Sequence, residues 1–327
     1  MQKENNMIKN AIITSFLSKT RDRFHEYNET KTLVEKFDMI KQIEGADGVE
    51  IVSPYEVLDA ETTKKLAAER GIKVAAVNAN VKAEPEFRDG GLTSPDKNAR
   101  NKAVGFIKTA KDYAEKIGAD KVTCCPLSDG YEFAFQTDYA VAWKRLAETF
   151  GEAADYKRNI PLFIEFKPSE TRGTCFLNNA AKTLLLIKDI GIKELGVTLD
   201  FGHSVYGGDN PAEELVLLAE SGQPYYIHIN DNNAKWDWDY FCGSKHLLEY
   251  VEFLYYLRKY GYNDYLTSDT SPTRFDILET FTINARITNK LWNLIEKAEQ
   301  NGLSRLIGGS DYLKTWKFIE ENIFSLR

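Results

Sequence analysis

Eight short runs of apolar, β-branched residues recur along this 327-residue chain, and a longer amphipathic segment follows each of them. Such an alternation is typical of βα units that build a parallel sheet. The runs are AIITSF (11–16), GVEIVS (48–53), KVAAVNA (73–79), KVTCCPL (121–127), PLFIEFK (161–167), LGVTLDF (195–201), YYIHIN (225–230) and DYLTSD (264–269). The pattern restricts the fold to a closed barrel or an open doubly wound sheet.

The end of the first predicted strand distinguishes these two folds. An open doubly wound sheet usually carries a glycine-rich phosphate-binding turn after its first strand. Here the strand runs into Ser15, Phe16, Leu17 and Ser18, without a glycine. Eight successive units with right-handed crossovers also close naturally into a barrel, which leaves no sheet edge. The sequence therefore predicts an α/β fold, a (β/α)8 TIM barrel, with the doubly wound sheet as the alternative.

The number of domains is predicted from whether the sequence contains a linker. We find no low-complexity linker and no block of like charge, so residues 1–327 are predicted to form a single TIM-barrel domain. Helix-forming sequence continues past the eighth unit, from about Asp311 to the C-terminus. This predicts an extra C-terminal helix that packs on the barrel wall or on another subunit.

Two of the predicted helices have clear end signals. One has Asn210 as N-cap, Pro211 at its first position and Gly222 just past its end. Another is predicted to begin at Ser94 and to stop at Gly118. Such signals place the helices between the strands, as a βα repeat requires.

Composition and charge exclude several classes of protein. A formal charge of -7 and a pI near 5.4 argue against a nucleic-acid partner, which would favour a basic face. No run of about 18 apolar residues is present, so no membrane span is predicted. The polar start MQKENNMIKN predicts no signal peptide. The four cysteines fit neither a zinc pattern nor a disulfide framework, which predicts reduced thiols and a cytoplasmic protein.

Charged and imidazole side chains mark the carboxyl ends of four consecutive predicted strands. In a TIM barrel these ends meet at one rim, where active sites lie. Strands five to eight deliver, in order, Glu165 with Lys167, Asp200 with His203, His228, and Asp269. Because side chains alternate along a strand, Glu165 and Lys167 are expected to point to the same side.

These residues have an ordinary structural interpretation as well as a functional one. A single Asp or His in a strand is usually a hydrogen-bonded core or capping residue. The combination argues otherwise, because two of the four histidines fall at adjacent strand ends. A carboxylate between apolar neighbours, such as Glu165, is also costly unless it is paired or metal-bound. Three carboxylates and one histidine with an open face predict a site for Mn²⁺, Mg²⁺ or a similar ion.

At these residues the chain resembles the xylose-isomerase-like barrel superfamily of sugar isomerases and epimerases, most specifically in its second half. Its similarity to ketose 3-epimerases implies one divalent metal, with Mn²⁺ preferred and Mg²⁺ or Co²⁺ as alternatives. The ligands implied are Glu165, Asp200, His228 and Asp269. The same resemblance implies that His203 binds substrate. The Glu-x-Lys-Pro sequence of strand five is similar to that of xylose isomerase, which implies that Lys167 faces substrate.

The chain departs from these relatives at two places. The epimerases carry Glu on strand eight and use both Glu residues as acid and base, whereas here strand eight offers the shorter Asp269. The second metal of xylose isomerase needs further carboxylates after strand seven, where we find only Asn230 and Asp231. One metal is therefore predicted, and Asp269 is only the second choice of base.

The function implied by the resemblance is proton abstraction from a keto-sugar or oxidised sugar, through a metal-stabilised enediolate. The predicted catalytic residues are Glu165 and Asp269 as bases, and His203 and Lys167 as groups that hold substrate oxygens. The alternative is a lyase, similar to the large subunit of bacterial C-glycoside deglycosidases, which diverts this intermediate into β-elimination from a 3-oxo-glycoside. We expect a small-molecule sugar or glycoside as partner, and a homo-oligomer or a hetero-oligomer with a small partner subunit.

Two other function classes are disfavoured. Endonuclease-IV-like nucleases resemble this barrel, but they bind three metals with more histidines than this chain has and need a basic surface. A non-enzymatic scaffold would be expected to have a broken ligand set, and here the set is complete.

Two long loops have open roles. The aromatic loop 231–246 after strand seven can line a sugar pocket, or its rings can pack under the loop or in a subunit interface. The polar loop 128–139 after strand four contains Asp129, Glu132 and Gln136, which can bind hydroxyls or cap the following helix.

Overall fold

Eight parallel strands close into a barrel. The computed structural model describes residues 8–170 and 172–326. The barrel strands are β1 Lys9–Ile13, β2 Gly48–Ser53, β3 Lys73–Ala79, β4 Val122–Cys124, β5 Leu162–Glu165, β6 Gly196–Asp200, β7 Tyr225–Ile229 and β8 Tyr265–Ser268. Each strand pairs in parallel with the next along the chain, and β8 pairs with β1. The predicted TIM barrel is confirmed and the open doubly wound sheet is excluded.

Helices follow the strands around the barrel. They are α1 Leu33–Ile40, α2 Ala60–Arg70, α3 Lys97–Ile117, α4 Tyr139–Asp155, α5 Ala180–Ile190, α6 Phe201–Gly207, α7 Pro211–Ser221, α8 Leu247–Lys259, α9 Ile277–Gln300, α10 Leu303–Gly308 and α11 Tyr312–Asn322. Two 3-10 turns lie at Thr14–Leu17 and Pro85–Phe87. Two small antiparallel ribbons pair Thr20–Arg21 with Glu26–Tyr27, and Gly130–Tyr131 with Thr174–Cys175.

The predicted apolar runs match the observed strands closely where no residue interrupts the backbone hydrogen bonds between strands. The runs 48–53 and 73–79 coincide with β2 and β3. The run 121–127 was predicted too long, since β4 stops at Cys124. Pro126 has no N–H to donate to a ladder, and the Leu127 N–H turns back to the Cys125 carbonyl.

Helix ends agree with their signals at α7 and less well at α3. Asn210 caps α7 by accepting hydrogen bonds from two backbone N–H groups, and Gly222 ends it in the left-handed conformation. The predicted start of α3 at Ser94 is wrong by a few residues, because Asp96 is the cap and accepts from the Asn98 N–H.

The predicted extra C-terminal helix is present as α11. Asp311 caps it by accepting from the Lys314 N–H. The helix packs against α10 and forms a groove together with α8. It therefore lies on the outer wall of the barrel, while a contact with another subunit stays a prediction.

An apolar layer lies inside the barrel just below its carboxyl rim. Phe163 on β5 and Tyr226 on β7 are buried and pack with Ala76 of β3. Because side chains alternate along a strand, Phe163 and Tyr226 share the inner face with Glu165 and His228, which lie two residues further on. The rim residues thus lie directly above this buried layer.

Three sequence predictions concern location. No helix among the described residues is long and apolar enough to cross a lipid bilayer. All four cysteines are free and buried. The MQKENNM start, on which the signal-peptide prediction rests, lies outside the described residues.

Candidate metal centre

The four predicted ligands meet at the carboxyl rim of the barrel. Glu165 and Asp200 are the last residues of β5 and β6, His228 lies in β7 beside Asp200, and Asp269 directly follows β8. Each contributes one ligand atom to a group in which all these atoms lie within 4.8 Å of one another. Glu165, Asp200 and His228 are buried, while the Asp269 side chain is 16% exposed. The cluster is therefore largely buried, and it is most open to solvent at Asp269.

Asp200 is oriented by the start of α6, which it caps. One carboxylate oxygen accepts from the His203 N–H at 2.9 Å, and the other accepts from Asn230 Nδ2 at 3.0 Å. Asn230 Oδ1 in turn accepts from the Gly202 N–H at 2.8 Å. Both oxygens of Asp200 are thus held in place, one by Asn230, which directly follows β7, and the other by α6.

Gly202 permits this close packing, since a Cβ there would lie 2.2 Å from Asn230 Oδ1. We expect Gly202→Ala to lower the free energy of unfolding by about 1–3 kcal/mol through overpacking. Gly105→Ala in α3 is the matched control, because its Cβ meets nothing within 4 Å and alanine favours a helix by up to about 1 kcal/mol. Urea unfolding measures both changes. A Gly202→Ala protein as stable as the wild type would contradict this packing.

His228 presents one ring nitrogen to the cluster. Its Nε2 lies 3.0 Å from Glu50 Oε2, and both side chains are fully buried. Its Nδ1 has no hydrogen-bond partner and lies 3.4 Å from Glu165 Oε1 and 3.6 Å from Asp269 Oδ2. A buried nitrogen that lacks a partner and faces two carboxylates fits the position of a metal ligand.

The cluster carries an excess of negative charge. Burial raises the pKa of Asp269 to about 8, and the nearby carboxylates of Asp200 and Glu165 add to that rise. Burial also raises the pKa of Asp200. In His228 burial disfavours the charged ring, but Glu50 and Glu165 outweigh it and raise the pKa well above its usual value. Burial raises the pKa of Glu165 too, but the charge of His228 outweighs it and lowers that pKa to about 2. Asp200, Asp269 and His228 thus hold protons more tightly, and a divalent cation among them would neutralise the same negative charge.

Lys167 and His203, the two predicted substrate-binding residues, lie beside the cluster and share one partner. Asp237 Oδ2 accepts from Lys167 Nζ at 2.9 Å and lies 3.2 Å from His203 Nε2. Burial lowers the pKa of His203, but Asp200 and Asp237 more than compensate and raise it to about 9. His203 Nδ1 donates to the Phe166 carbonyl at 2.8 Å. Lys167 is therefore linked to the ligand Glu165 through Asp237 and His203, and its role in substrate binding stays a prediction.

Sequence reasoning missed two functional candidates, Glu50 and Asp237. Glu50 lies between the apolar residues Val49 and Ile51 of β2. A carboxylate between apolar neighbours is the same pattern that identified Glu165. Asp237 lies in a loop and had no such signal. Its buried carboxylate corrects the view that only Asn230 and Asp231 follow strand seven.

The loop after β7 is built around Asp231. Its carboxylate accepts from the N–H groups of Lys245 and His246 and contacts His246 Nδ1 at 2.8 Å. The Trp236 ring packs edge-on against Tyr206, whereas Trp238 is 45% exposed. Most of this loop is therefore structural, and Trp238 is its ring most open to solvent.

The loop after β4 also has structural partners. Asp129 accepts from the backbone N–H groups of Gly91, Leu92 and Thr93, and Glu132 pairs with Arg172. Gln136 accepts from the N–H groups of Glu132 and Phe133. These contacts favour the structural interpretation of the loop over hydroxyl binding.

Comparison with known proteins shows which sequences and folds are similar to this one. A family model described as a xylose isomerase-like TIM barrel matches residues 37–283. The chain is 27% identical over 190 residues to a xylose isomerase of Thermus thermophilus, which covers 56% of this chain and 49% of that protein. It is 28% identical over 236 residues to one of Roseobacter denitrificans, covering 66% and 52%. The chain thus spans about half the length of the curated relatives it matches.

Solved structures show the same fold at low sequence identity. An L-ribulose 3-epimerase superposes with a TM-score of 0.72 at 19% identity, covering 90% of this chain and 98% of that one. A D-tagatose 3-epimerase-like protein gives 0.70 at 20% identity, covering 89% and 99%. The 3-keto-D-glucoside 4-epimerase of E. coli gives 0.63 at 17% identity, covering 87% and 99%.

Proposed function

The chain belongs to the xylose isomerase-like TIM barrel family, and from that premise we propose that it is a divalent-metal-dependent isomerase or epimerase of a keto-sugar or oxidised sugar. The observation that carries the proposal is the cluster of Glu165, Asp200, His228 and Asp269, in which a buried imidazole nitrogen without a partner faces carboxylates. Such a cluster is costly without a cation.

These four residues would hold one divalent ion. Oxygen ligands with a single imidazole suit Mn²⁺ best, with Mg²⁺ or Co²⁺ as alternatives. When bound, the ion polarises the substrate carbonyl and offsets the negative charge of the enediolate. Asn230 and the start of α6 keep Asp200 in place for this role.

Glu165 is the first choice of base and Asp269 the second. The Glu165 side chain is 3% exposed, so water is largely excluded from the carboxylate that accepts the substrate proton. Asp269 stands at the open side, where it can serve the opposite face of a bound substrate. Return of the proton to the neighbouring carbon gives isomerisation, and return from the opposite face gives epimerisation.

Lys167 and His203 would hold substrate oxygens. Both are cationic and pair with Asp237, and His203 Nδ1 also lies 3.4 Å from Glu165 Oε1. Donors of this charge stabilise oxygens that gain negative charge in the reaction. An uncharged or carboxylated sugar therefore suits the site.

The solved structures support the choice of substrate class. Two of them are an L-ribulose 3-epimerase and a 3-keto-D-glucoside 4-epimerase. Both compounds carry a ketone next to a C–H group, which is what proton abstraction requires. We therefore propose ketoses and oxidised glycosides as the first compounds to test.

A lyase that cleaves a 3-oxo-glycoside is the second candidate. It is favoured by Trp238, a half-exposed ring next to Asp237 in the loop after β7, which can stack on an aromatic group leaving the sugar. A small partner subunit belongs to this alternative, and a homo-oligomer to the first. In either case the free, buried cysteines suit a cytoplasmic location.

Product analysis in deuterated water tests both candidates. The Mn²⁺-loaded protein is incubated with a panel of ketohexoses and with a 3-oxo-C-glycoside, and products are followed by NMR. We expect a new sugar that carries solvent deuterium next to its carbonyl. Release of an aglycone would favour the lyase, and the absence of both deuterium uptake and cleavage across the panel would contradict the proposal.

A further inference from the structure

We propose that Glu50 is a positioning residue that selects the tautomer of His228, so that Nδ1 is free to bind the metal. The inference rests on the proposed function, because it concerns the same metal centre. Glu50 lies on β2 and His228 on β7, so their contact reaches across the inside of the barrel. The two atoms that meet, Glu50 Oε2 and His228 Nε2, are 3.0 Å apart.

The Glu50 carboxylate is fixed by two further donors. Thr123 Oγ1 donates to Glu50 Oε1 at 2.5 Å, and Asn78 Nδ2 donates to the same oxygen at 3.2 Å. Asn78 also donates to Thr123 Oγ1, which ties β3 to β4. Oε1 is therefore occupied from one side of the barrel, and Oε2 is directed at His228.

This arrangement decides which ring nitrogen of His228 carries a proton. A carboxylate can only accept hydrogen bonds, so Nε2 must be the donor. Nδ1 then keeps its lone pair for a metal whenever the ring is neutral, and it is the nitrogen that faces Glu165 and Asp269. The negative partner also makes the imidazole a stronger ligand.

Glu50→Gln tests the inference, because the orientation of the new amide is known. Thr123 and Asn78 donate to the position of Oε1, so the amide oxygen must stay there and the NH2 group must face His228. The amide then donates to Nε2 and drives the ring proton onto Nδ1. We expect Mn²⁺ and Cd²⁺ to bind about 10–100-fold more weakly, measured by calorimetry.

Thr123→Val is the matched control. It removes one donor from Glu50 and leaves the contact between Glu50 and His228 intact. Its metal affinity should change much less than that of Glu50→Gln. An equal loss in both variants would overturn the inference, since the network as a whole rather than the tautomer would then be responsible.

Nitrogen NMR on isotope-labelled histidine gives a readout independent of activity. The chain has only four histidines, so each ring can be assigned. In the wild type with a spin-active cadmium isotope, scalar coupling is expected to Nδ1 of His228, with the proton on Nε2. Coupling to Nε2 would overturn the inference even if Glu50→Gln failed to fold.

The two proposals fail in different ways. A wild-type protein that binds no divalent ion at these residues would remove the proposed function, and this inference with it. Normal metal binding and turnover in the wild type, together with unchanged affinity in folded Glu50→Gln, would overturn only the role of Glu50.

Discussion

Replacing Glu165 by glutamine is expected to lower kcat by about 10²–10⁴-fold, because the substrate loses its first-choice base. The amide oxygen can still reach the metal position, but it cannot take up a proton at neutral pH. The Glu165 side chain is nearly buried and lies 3.4 Å from the rings of both His203 and His228. Water therefore has little room to act as a substitute base.

The measurement combines turnover with deuterium exchange at saturating Mn²⁺. Glu213→Gln, at an exposed position in the first turn of α7, is the control and should leave kcat unchanged. The loss of its charge near the helix N-terminus should cost at most about 1 kcal/mol of stability. Metal content is determined for each variant, so that loss of the ion is not mistaken for loss of the base. Near-normal exchange in metal-loaded Glu165→Gln would exclude Glu165 as the base.

Removing the metal should abolish turnover and leave the fold in place. The barrel closes through backbone hydrogen bonds between its strands and through a large apolar core, neither of which depends on the ligand side chains. Loss of an ion present at about 100 times its Kd costs roughly 2.7 kcal/mol of stability. For a chain of this size that corresponds to a fall in Tm of roughly 4 °C, with an unchanged circular dichroism spectrum.

Substitution of single ligands should reproduce the effect of a chelator. His228→Ala removes the only imidazole of the cluster, and Asp200→Asn removes one of its charges. Chelator already saturated with metal is the control, and Mn²⁺, Mg²⁺ or Co²⁺ added to the stripped wild type should restore turnover. Persistent activity in protein shown by elemental analysis to be metal-free would refute metal dependence.

Local sequence located the strands and the polar residues at their ends, and the family resemblance then implied the four candidate ligands. The runs 48–53 and 73–79 coincide with strands because alternation and β-branching are properties of neighbouring residues. Glu165 and Asp200 could be placed at one rim because all parallel strands of a barrel end on the same side. The family assignment and the TIM barrel are confirmed, while metal binding, the catalytic roles and the single domain stay predictions.

Long-range contacts were decided only by the tertiary structure. Glu50 and His228 are 178 residues apart along the chain and meet because the barrel closes. Asp237 reaches Lys167 and His203 because the loop after β7 folds back over the rim. Local sequence patterns cannot predict such pairs, because a hydrogen bond between distant segments depends on the register of the strands and on the path of the loops. The sequence by itself thus indicated the strands and the rim at which the candidate ligands lie, whereas the fold brought Glu50 and Asp237 to them and decided how each residue is oriented and charged.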